Sequence, residues 1–229
     1  YKKNLTIDAK NSGTLGRLIL GLLIKSPQKI RLIGDKSLSR RDFSRITRPL
    51  ERLGAKFYYK KKNKLPLSIL GSRSVKGIKY LENKGSAQCK SSVMLAALNA
   101  SGTTSIKAKK SRNHTELLFK YLKIPIKIKK TKNYDFINIK KPKKIRAFNY
   151  QIPGDISSSA FFIVLATLAN NSKLLIKNVS INPSRIGVIT ILKKMGAKIS
   201  LNNQRDYRGE KISNILIKSS KNLKGINCP

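Results

Sequence analysis

The sequence predicts a mixed α/β protein assembled from a repeated β-α-β-α-β-β unit of about 70 residues. Three observations predict it. A short polar opening followed by an apolar helical stretch occurs three times. Each opening is followed, after a near-constant interval, by an arginine ahead of a second, amphipathic helix. Each second helix stops at a turn signal and is followed by two strand-like runs.

The elements follow in order. Asn11-Ser12-Gly13-Thr14, Ser86-Ala87-Gln88 and Asp155-Ile156-Ser157-Ser158 are the openings. They lead into apolar stretches over Leu15–Ile24, Ser92–Asn99 and Ala160–Ala169. Strands are predicted at Lys29–Ile33, Thr103–Ala108 and Lys173–Val179, where apolar and polar residues mix with a strand-like period. The arginines are Arg41, Arg112 and Arg185, placed 29, 26 and 28 residues after Ser12, Ser86 and Ser157. In the first unit, Phe43, Ile46, Leu50 and Leu53 form one apolar stripe, with Arg45, Arg48 and Arg52 on the other face. Ser39 is expected to cap this helix, with Asp42 as its box partner. Asn113 and Glu116 repeat that spacing, and Pro183 is expected in a first helical turn. The helices end at Leu53-Gly54-Ala55, Leu122-Lys123-Ile124 and Met195-Gly196-Ala197. In Ile124-Pro125-Ile126-Lys127-Ile128-Lys129 the lysines alternate with apolar residues, the pattern of a strand with one wet face.

Composition narrows the function classes. The 229 residues include 50 Lys+Arg and 10 Asp+Glu, a formal net charge of +40, with 40% apolar residues. That apolar content supports a core and excludes a disordered polycation. Two cysteines exclude a disulfide-built scaffold, and Cys89 and Cys228 have no companions for a zinc cluster. No apolar run approaches the roughly 20 residues of a membrane span. The charge has two readings. A basic surface attracts phosphates, but Lys, Ile and Asn all have A/T-rich codons, and an A/T-rich genome would yield the same composition. No run of aromatics interleaved with basic residues marks an RNA-binding sheet. The chain starts at Tyr1 and stops at Pro229, which reads as an internal fragment.

The openings are the candidate chemistry. A helix start presents N–H groups and partial positive charge, and Gly13 lets a ligand approach the backbone. Taken singly, each opening reads as a helix cap. Paired with an arginine, which grips phosphate or carboxylate bidentately, the openings suit a cleft for a small ligand with several negative groups. His114, with only Glu116 near it in sequence, reads as structural, and Cys89 as a small half-buried residue.

Seven stretches carry a resemblance: NSGTLGRL (Asn11–Leu18), GDKSLSRR (Gly34–Arg41), RPLERLGA (Arg48–Ala55), GSAQCKSSVMLAALNASG (Gly85–Gly102), SRNHTE (Ser111–Glu116), PGDISSSAFF (Pro153–Phe162) and NPSRIG (Asn182–Gly187). In that order and spacing, they resemble the 5-enolpyruvylshikimate-3-phosphate synthase family over the whole chain. The resemblance implies the two-domain enolpyruvyl transferase fold, with three units per domain and the active site between them. This fragment would hold three units: residues 1–152 as part of the first domain and 153–229 as the start of the second. It implies transfer of the carboxyvinyl group of phosphoenolpyruvate to the 5-hydroxyl of shikimate 3-phosphate, with release of phosphate, in aromatic amino acid biosynthesis. It implies no metal and no organic cofactor, no membrane or specific nucleic-acid partner, a bacterial cytoplasmic location and a monomer when complete. Asn11, Gly13 and Arg41 fall on the phosphoenolpyruvate side. Ser86, Ala87 and Gln88 fall on the shikimate-phosphate side, Gln88 reaching both, and Arg112 matches a shikimate-phosphate arginine of one branch. The family's catalytic acids fall beyond Pro229 and its first Lys-Ser and Arg before Tyr1, so no catalytic residue is assigned here. Asp42 stands where the family has Pro, and would either pair with Arg41 and weaken phosphate binding or serve as the helix box partner. The rivals are the UDP-N-acetylglucosamine enolpyruvyl transferase, whose reactive Cys loop has no counterpart between Arg31 and Tyr80, and an RNA-binding protein using the basic surface.

Overall fold

The computed structural model describes residues 5–227. Cys228, with the terminal Tyr1 and Pro229, lies outside them. The chain divides into two compact units, 1–111 with 122–145, and 112–121 with 146–229. Each is described by itself.

The first unit contains the repeat's four-stranded sheet twice, with the same strand order both times. The first copy runs β1 (Leu5–Asp8), α1 (Gly13–Leu22), β2 (Lys29–Ile33), the single turn α2 (Lys36–Ser39), α3 (Ser44–Arg52), β3 (Lys56–Tyr59) and β4 (Leu67–Leu70). Its sheet has the order β1-β2-β4-β3, with only β1 and β2 parallel. The second copy contributes β5 (Lys79–Glu82), α4 (Ala87–Ala97), β6 (Thr103–Lys109), β7 (Ile126–Lys130) and β8 (Tyr134–Lys140) in the matching order β5-β6-β8-β7, again with one parallel pair. The parallel pair in each sheet follows from the helix that connects its strands, and the antiparallel β3-β4 and β7-β8 pairs from short returns.

Both sheets turn one face inward. Leu32, Leu67 and Ile69 of the first, and Thr104, Ile106, Ile137 and Ile139 of the second, are fully buried. The stripe expected on α3 is there: Phe43, Ile46, Leu50 and Leu53 are all 1% exposed or less. Each such side chain contributes about 1.5–3 kcal/mol on leaving water. Helix α4 is central and buries Cys89, Lys90, Ser91, Ser92, Val93, Met94, Ala96 and Ala97. Its small residues allow close approach to α1. A Cβ on Gly21 would lie 2.2 Å from the carbonyl oxygen of Ser92, so the two backbones nearly touch there.

The second unit holds α5 (His114–Tyr121), α6 (Ile156–Leu168), β9 (Lys173–Ser180), α7 (Gly187–Lys194), β10 (Lys198–Tyr207) and β11 (Glu210–Lys218). Its sheet has the order β10-β11-β9, all antiparallel, the same arrangement as β3-β4-β2. The parallel edge strand is reduced to one bridge, Gly154 with Val179. Ile156, Ile163, Val179, Ile189, Ile215 and Ile217 form the core. The opposite face of α6 is bare: Phe161, Phe162, Leu165 and Leu168 are 79%, 59%, 63% and 64% exposed.

The openings start the apolar helices, as expected of caps: Ser12, Ser86 and Asp155 accept from Leu15, Cys89 and Ser158 N–H groups. Two local expectations need correction. Ser39 does not cap the amphipathic helix. It closes α2 and donates to the Gly34 carbonyl at 3.1 Å, while the Asp42 carboxylate accepts from the Ser44 N–H at 2.8 Å and hydroxyl at 2.7 Å. Pro183 lies in the turn before α7, not in its first turn. The helix ends are as read, with Gly54 and Gly196 at φ +112° and +98° in the left-handed region that favours glycine.

Candidate functional site

The openings of α1 and α4 lie side by side in the first unit. Gln88, in the first turn of α4, reaches across to α1. Its Nε2 donates to Thr14 Oγ1 at 2.9 Å, and its Oε1 accepts from Arg17 Nη1 at 2.8 Å. The same Nη1 donates to the Gly13 carbonyl at 3.2 Å, and the guanidinium lies 5.4 Å from the Phe43 ring centroid. A second clamp sits one turn on, where Ser92 Oγ donates to the Arg17 carbonyl at 3.0 Å. Burial holds the Arg17 guanidinium below its usual pKa. Cys89 partly opposes this, and the like charges of Arg41 and Arg45 add to it.

Gly13 is the hinge of this arrangement. A Cβ there would meet Arg17 Nη1 at 2.6 Å and Arg41 Nη1 at 3.0 Å, so the bare glycine is bracketed by two guanidinium groups at a helix start. Asn11 Nδ2 donates to Asp35 Oδ2, whose other oxygen accepts from the Leu38 N–H at 2.7 Å as the cap of α2. These hydrogen bonds, from Asn11 first and Leu38 next, hold the Asp35 carboxyl below its usual range. Asn11 thereby ties the opening of α1 to the segment leading to Arg41. Asp42 caps α3 through Ser44, and hydrogen bonds from the Ser44 hydroxyl and N–H lower its pKa. No hydrogen bond or ion pair joins it to Arg41, and Ser39 closes α2, so the structure shows neither the Arg41 pair nor the box with Ser39; Asp42 accepts from Ser44 instead.

Ser86 is committed to structure as well. Its hydroxyl caps α4 at 3.3 Å from the Cys89 N–H, and its own N–H donates to Glu82 Oε2 at 2.9 Å. Glu82, 2% exposed, also pairs with Arg45 at 2.9 Å. Ala87 is the first residue of α4, half-buried beside Gln88. Cys89 is more buried than expected, at 2% exposure.

In the second unit the same pairing recurs. Arg185 forms an ion pair with the α6 cap Asp155 at 2.9 Å and also contacts the Ser157 hydroxyl. Burial pushes the Asp155 carboxyl up, but the N–H and hydroxyl of Ser158 and the charge of Arg185 outweigh it, and its pKa falls. Arg112 is exposed just before α5. It belongs to the second unit and Ser86 to the first. His114 has a carboxylate partner that lies 96 residues away in sequence: its Nδ1 is 2.5 Å from Glu210 Oε1. Asn182 Nδ2 donates to Glu210 Oε2 at 3.2 Å and to Asn113 Oδ1 at 2.9 Å, tying the start of α5 to β11.

The structure therefore brings together Asn11, Gly13, Arg41 and Gln88, with Ser86 and Ala87 in the adjoining helix start. Sequence reasoning missed Arg17, Thr14 and Asp35. Arg17 sits four residues after Gly13, on the same helix face, and that i to i+4 spacing was the available signal. A helix start flanked by two arginines can hold a phosphate or carboxylate. No group of three or more His, Cys, Asp or Glu residues suited to a metal occurs among the described residues. No helix there is long and apolar enough to cross a membrane.

Comparison with known proteins bears on the family and the fold. A family model described as EPSP synthase (3-phosphoshikimate 1-carboxyvinyltransferase) matches residues 1–228. A 3-phosphoshikimate 1-carboxyvinyltransferase of Thermoanaerobacter sp. (strain X514) is 42% identical over 226 residues, covering 98% of this chain and 52% of the relative. The enzyme of that name from Ruthia magnifica is 44% identical over 230 residues, covering 100% and 52%. The EPSP synthase structure from Acinetobacter baumannii superposes with a TM-score of 0.83 at 39% identity, covering 98% of this chain and 50% of that one. The chain thus spans about half the length of these relatives. On this evidence of fold, motif and sequence, the chain belongs to the EPSP synthase family.

Proposed function

We propose that this chain is part of an enolpyruvyl transferase that moves the carboxyvinyl group of phosphoenolpyruvate to the 5-hydroxyl of shikimate 3-phosphate and releases phosphate. The observation that supports it most directly is Gly13, held at a helix start between Arg17 and Arg41 and tied through Arg17 to Gln88 of the neighbouring helix. In this reading Gly13, Arg17 and Arg41 take the phosphoenolpyruvate phosphate, and Asn11 holds the opening in place. Ser86, Ala87, Gln88 and Arg112 face shikimate 3-phosphate. The guanidinium groups and helix starts neutralise two anions and set the hydroxyl beside C2 of the enol phosphate, which favours addition by proximity. No residue of this chain is assigned the proton transfers of addition and elimination.

Residues 1–152 would belong to the first domain and 153–229 to the second. The bare face of α6 supports that division. Its counterparts α1 and α4 cover one another, and further repeats of a second domain would cover α6 in the same way. A soluble cytoplasmic monomer is the setting that fits small anionic substrates.

The test is phosphate release by the full-length enzyme with both substrates. Activity that falls at least about a hundredfold on Arg41→Ala, through the KM for phosphoenolpyruvate, is expected, from a charge-assisted contact of about 3 kcal/mol. An unchanged kcat/KM for phosphoenolpyruvate would refute the assignment of Arg41.

A further inference from the structure

The outer face of the second sheet of the first unit is chemically one-sided. Along β6 the side chains of Thr103, Ser105, Lys107 and Lys109 are the outward set, while Thr104, Ile106 and Ala108 are buried. On β8 the outward set is Tyr134, Phe136, Asn138 and Lys140, and on β7 the exposed lysines Lys127 and Lys129. Lys79 and Leu81 of β5 complete the face. Register places these groups in rows across the strands. Leu81, Lys107, Phe136 and Lys129 form one row, and Lys79, Ser105, Asn138 and Lys127 the next. The two acids of these strands, Glu82 and Asp135, are buried on the opposite face. Six lysines therefore share a surface with no carboxylate of its own strands.

The aromatics are held open within it. Phe136 is 38% exposed on a central strand, and the Lys107 ammonium lies 5.7 Å from its centroid and 4.8 Å from that of Tyr134. The sequence showed no interleaved aromatic and basic run because the platform is built by cross-strand pairing, not along one strand. Neighbouring strands are about 4.8 Å apart, and alternate residues along a strand about 7 Å. Charges and rings thus form a shallow grid rather than a protruding apolar wedge. Such a grid suits a flexible polyanion with flat bases better than a lipid surface, which rewards apolar side chains that project into it.

We propose that this outer sheet face binds single-stranded nucleic acid with little sequence preference, Phe136 and Tyr134 stacking on bases while the surrounding lysines neutralise phosphates. Rings stack on any base, and lysines carry no base readout, so the binding is sequence-tolerant. The proposal concerns a surface remote in kind from the anion clamp at Gly13 and does not depend on the proposed transferase reaction.

The test is fluorescence anisotropy of the full chain with a labelled single-stranded oligonucleotide over a salt series. Each variant is first matched to wild type by circular dichroism. The pair Lys107→Glu with Lys129→Glu is expected to reduce the slope of log K against log salt by ~1.4, two contacts at ~0.7 each. Phe136→Ile keeps strand preference and bulk, and is expected to weaken binding at least about fivefold with the slope unchanged. The control pair Lys193→Glu with Lys194→Glu, on α7, removes the same charge elsewhere and is expected to leave most binding intact. Equal losses from the control and the sheet pair would mean a generic polycation and overturn the proposal. Absence of oligonucleotide binding at low salt would overturn it as well. So would face-dependent binding to vesicles of anionic phospholipid in place of the oligonucleotide.

Discussion

Two glycines on one helix give opposite predictions for the same substitution. At Gly21, an added Cβ lies 2.2 Å from the Ser92 carbonyl oxygen and 3.0 and 3.1 Å from its C and Cα. All three atoms are backbone, so no side chain can swing aside. Restoring contacts near 3.5 Å would force α1 and α4 apart by about 1 Å. Overpacking of this kind costs about 1–3 kcal/mol, and two opposed backbones place it at the upper end. The better helix propensity of Ala returns about 1 kcal/mol. A net loss of about 2 kcal/mol is expected, which lowers Tm by about 4–8 °C in a chain of this size. At Gly16 the nearest atoms are Phe43 Cζ at 3.5 Å and side-chain carbons of Ala9 and Leu38 at 3.6 Å, all ordinary contacts. Gly16→Ala should be neutral or stabilising by up to about 1 kcal/mol. Thermal unfolding followed by circular dichroism measures both. If Gly21→Ala melts at or above wild type, the close approach of α1 and α4 is wrong, and with it the basis for Gln88 reaching Arg17.

Gly13→Ala should leave stability within about 0.5 kcal/mol, since only flexible guanidinium ends must move, yet raise the KM for phosphoenolpyruvate about tenfold or more in the full-length enzyme; an unchanged KM would remove Gly13 from the site. Glu82→Ala should destabilise by about 3 kcal/mol in urea titration, because it strips acceptors from the Ser86 N–H and from Arg45 at a buried position; a loss under 1 kcal/mol would contradict the role given to it. Asp42 and Asp155 have folded-state pKa values below their unfolded ones. Their contribution is therefore present above about pH 4 and lost as pH falls from there through the lower folded values. The urea midpoint should decline over that window, and Asp42→Asn should flatten the decline; an identical pH profile would refute the Ser44 cap as its source.

The repeat was legible because period and punctuation agree. Lys29–Ile33 alternates and folds as the strand read from it, and the stripe from Phe43 to Leu53 is buried at every position. Gly54 and Gly196 end helices where their backbone freedom is required. The helix starts were legible because Ser12, Ser86 and Asp155 are residue types whose side chains accept from first-turn N–H groups. Arg17 was hidden. Its partner Gln88 is 71 residues away, and only the packing of α1 on α4 joins them. The same holds for His114, whose partner Glu210 no local window contains. The cross-strand rows of Lys107, Phe136 and Lys129 belong to three separate strands and exist only once register is set. Periodicity encodes which face a residue takes; it does not encode which distant element meets that face.

The most direct test of the anion site is a crystal structure of the full-length enzyme with shikimate 3-phosphate and a phosphoenolpyruvate analogue bound. Analogue oxygens are expected within hydrogen-bond distance of both Arg17 and Arg41 against the α1 start, with Gln88 at the junction of the two ligands. An analogue seated away from that helix start, with the two guanidinium groups left to solvent, would contradict it.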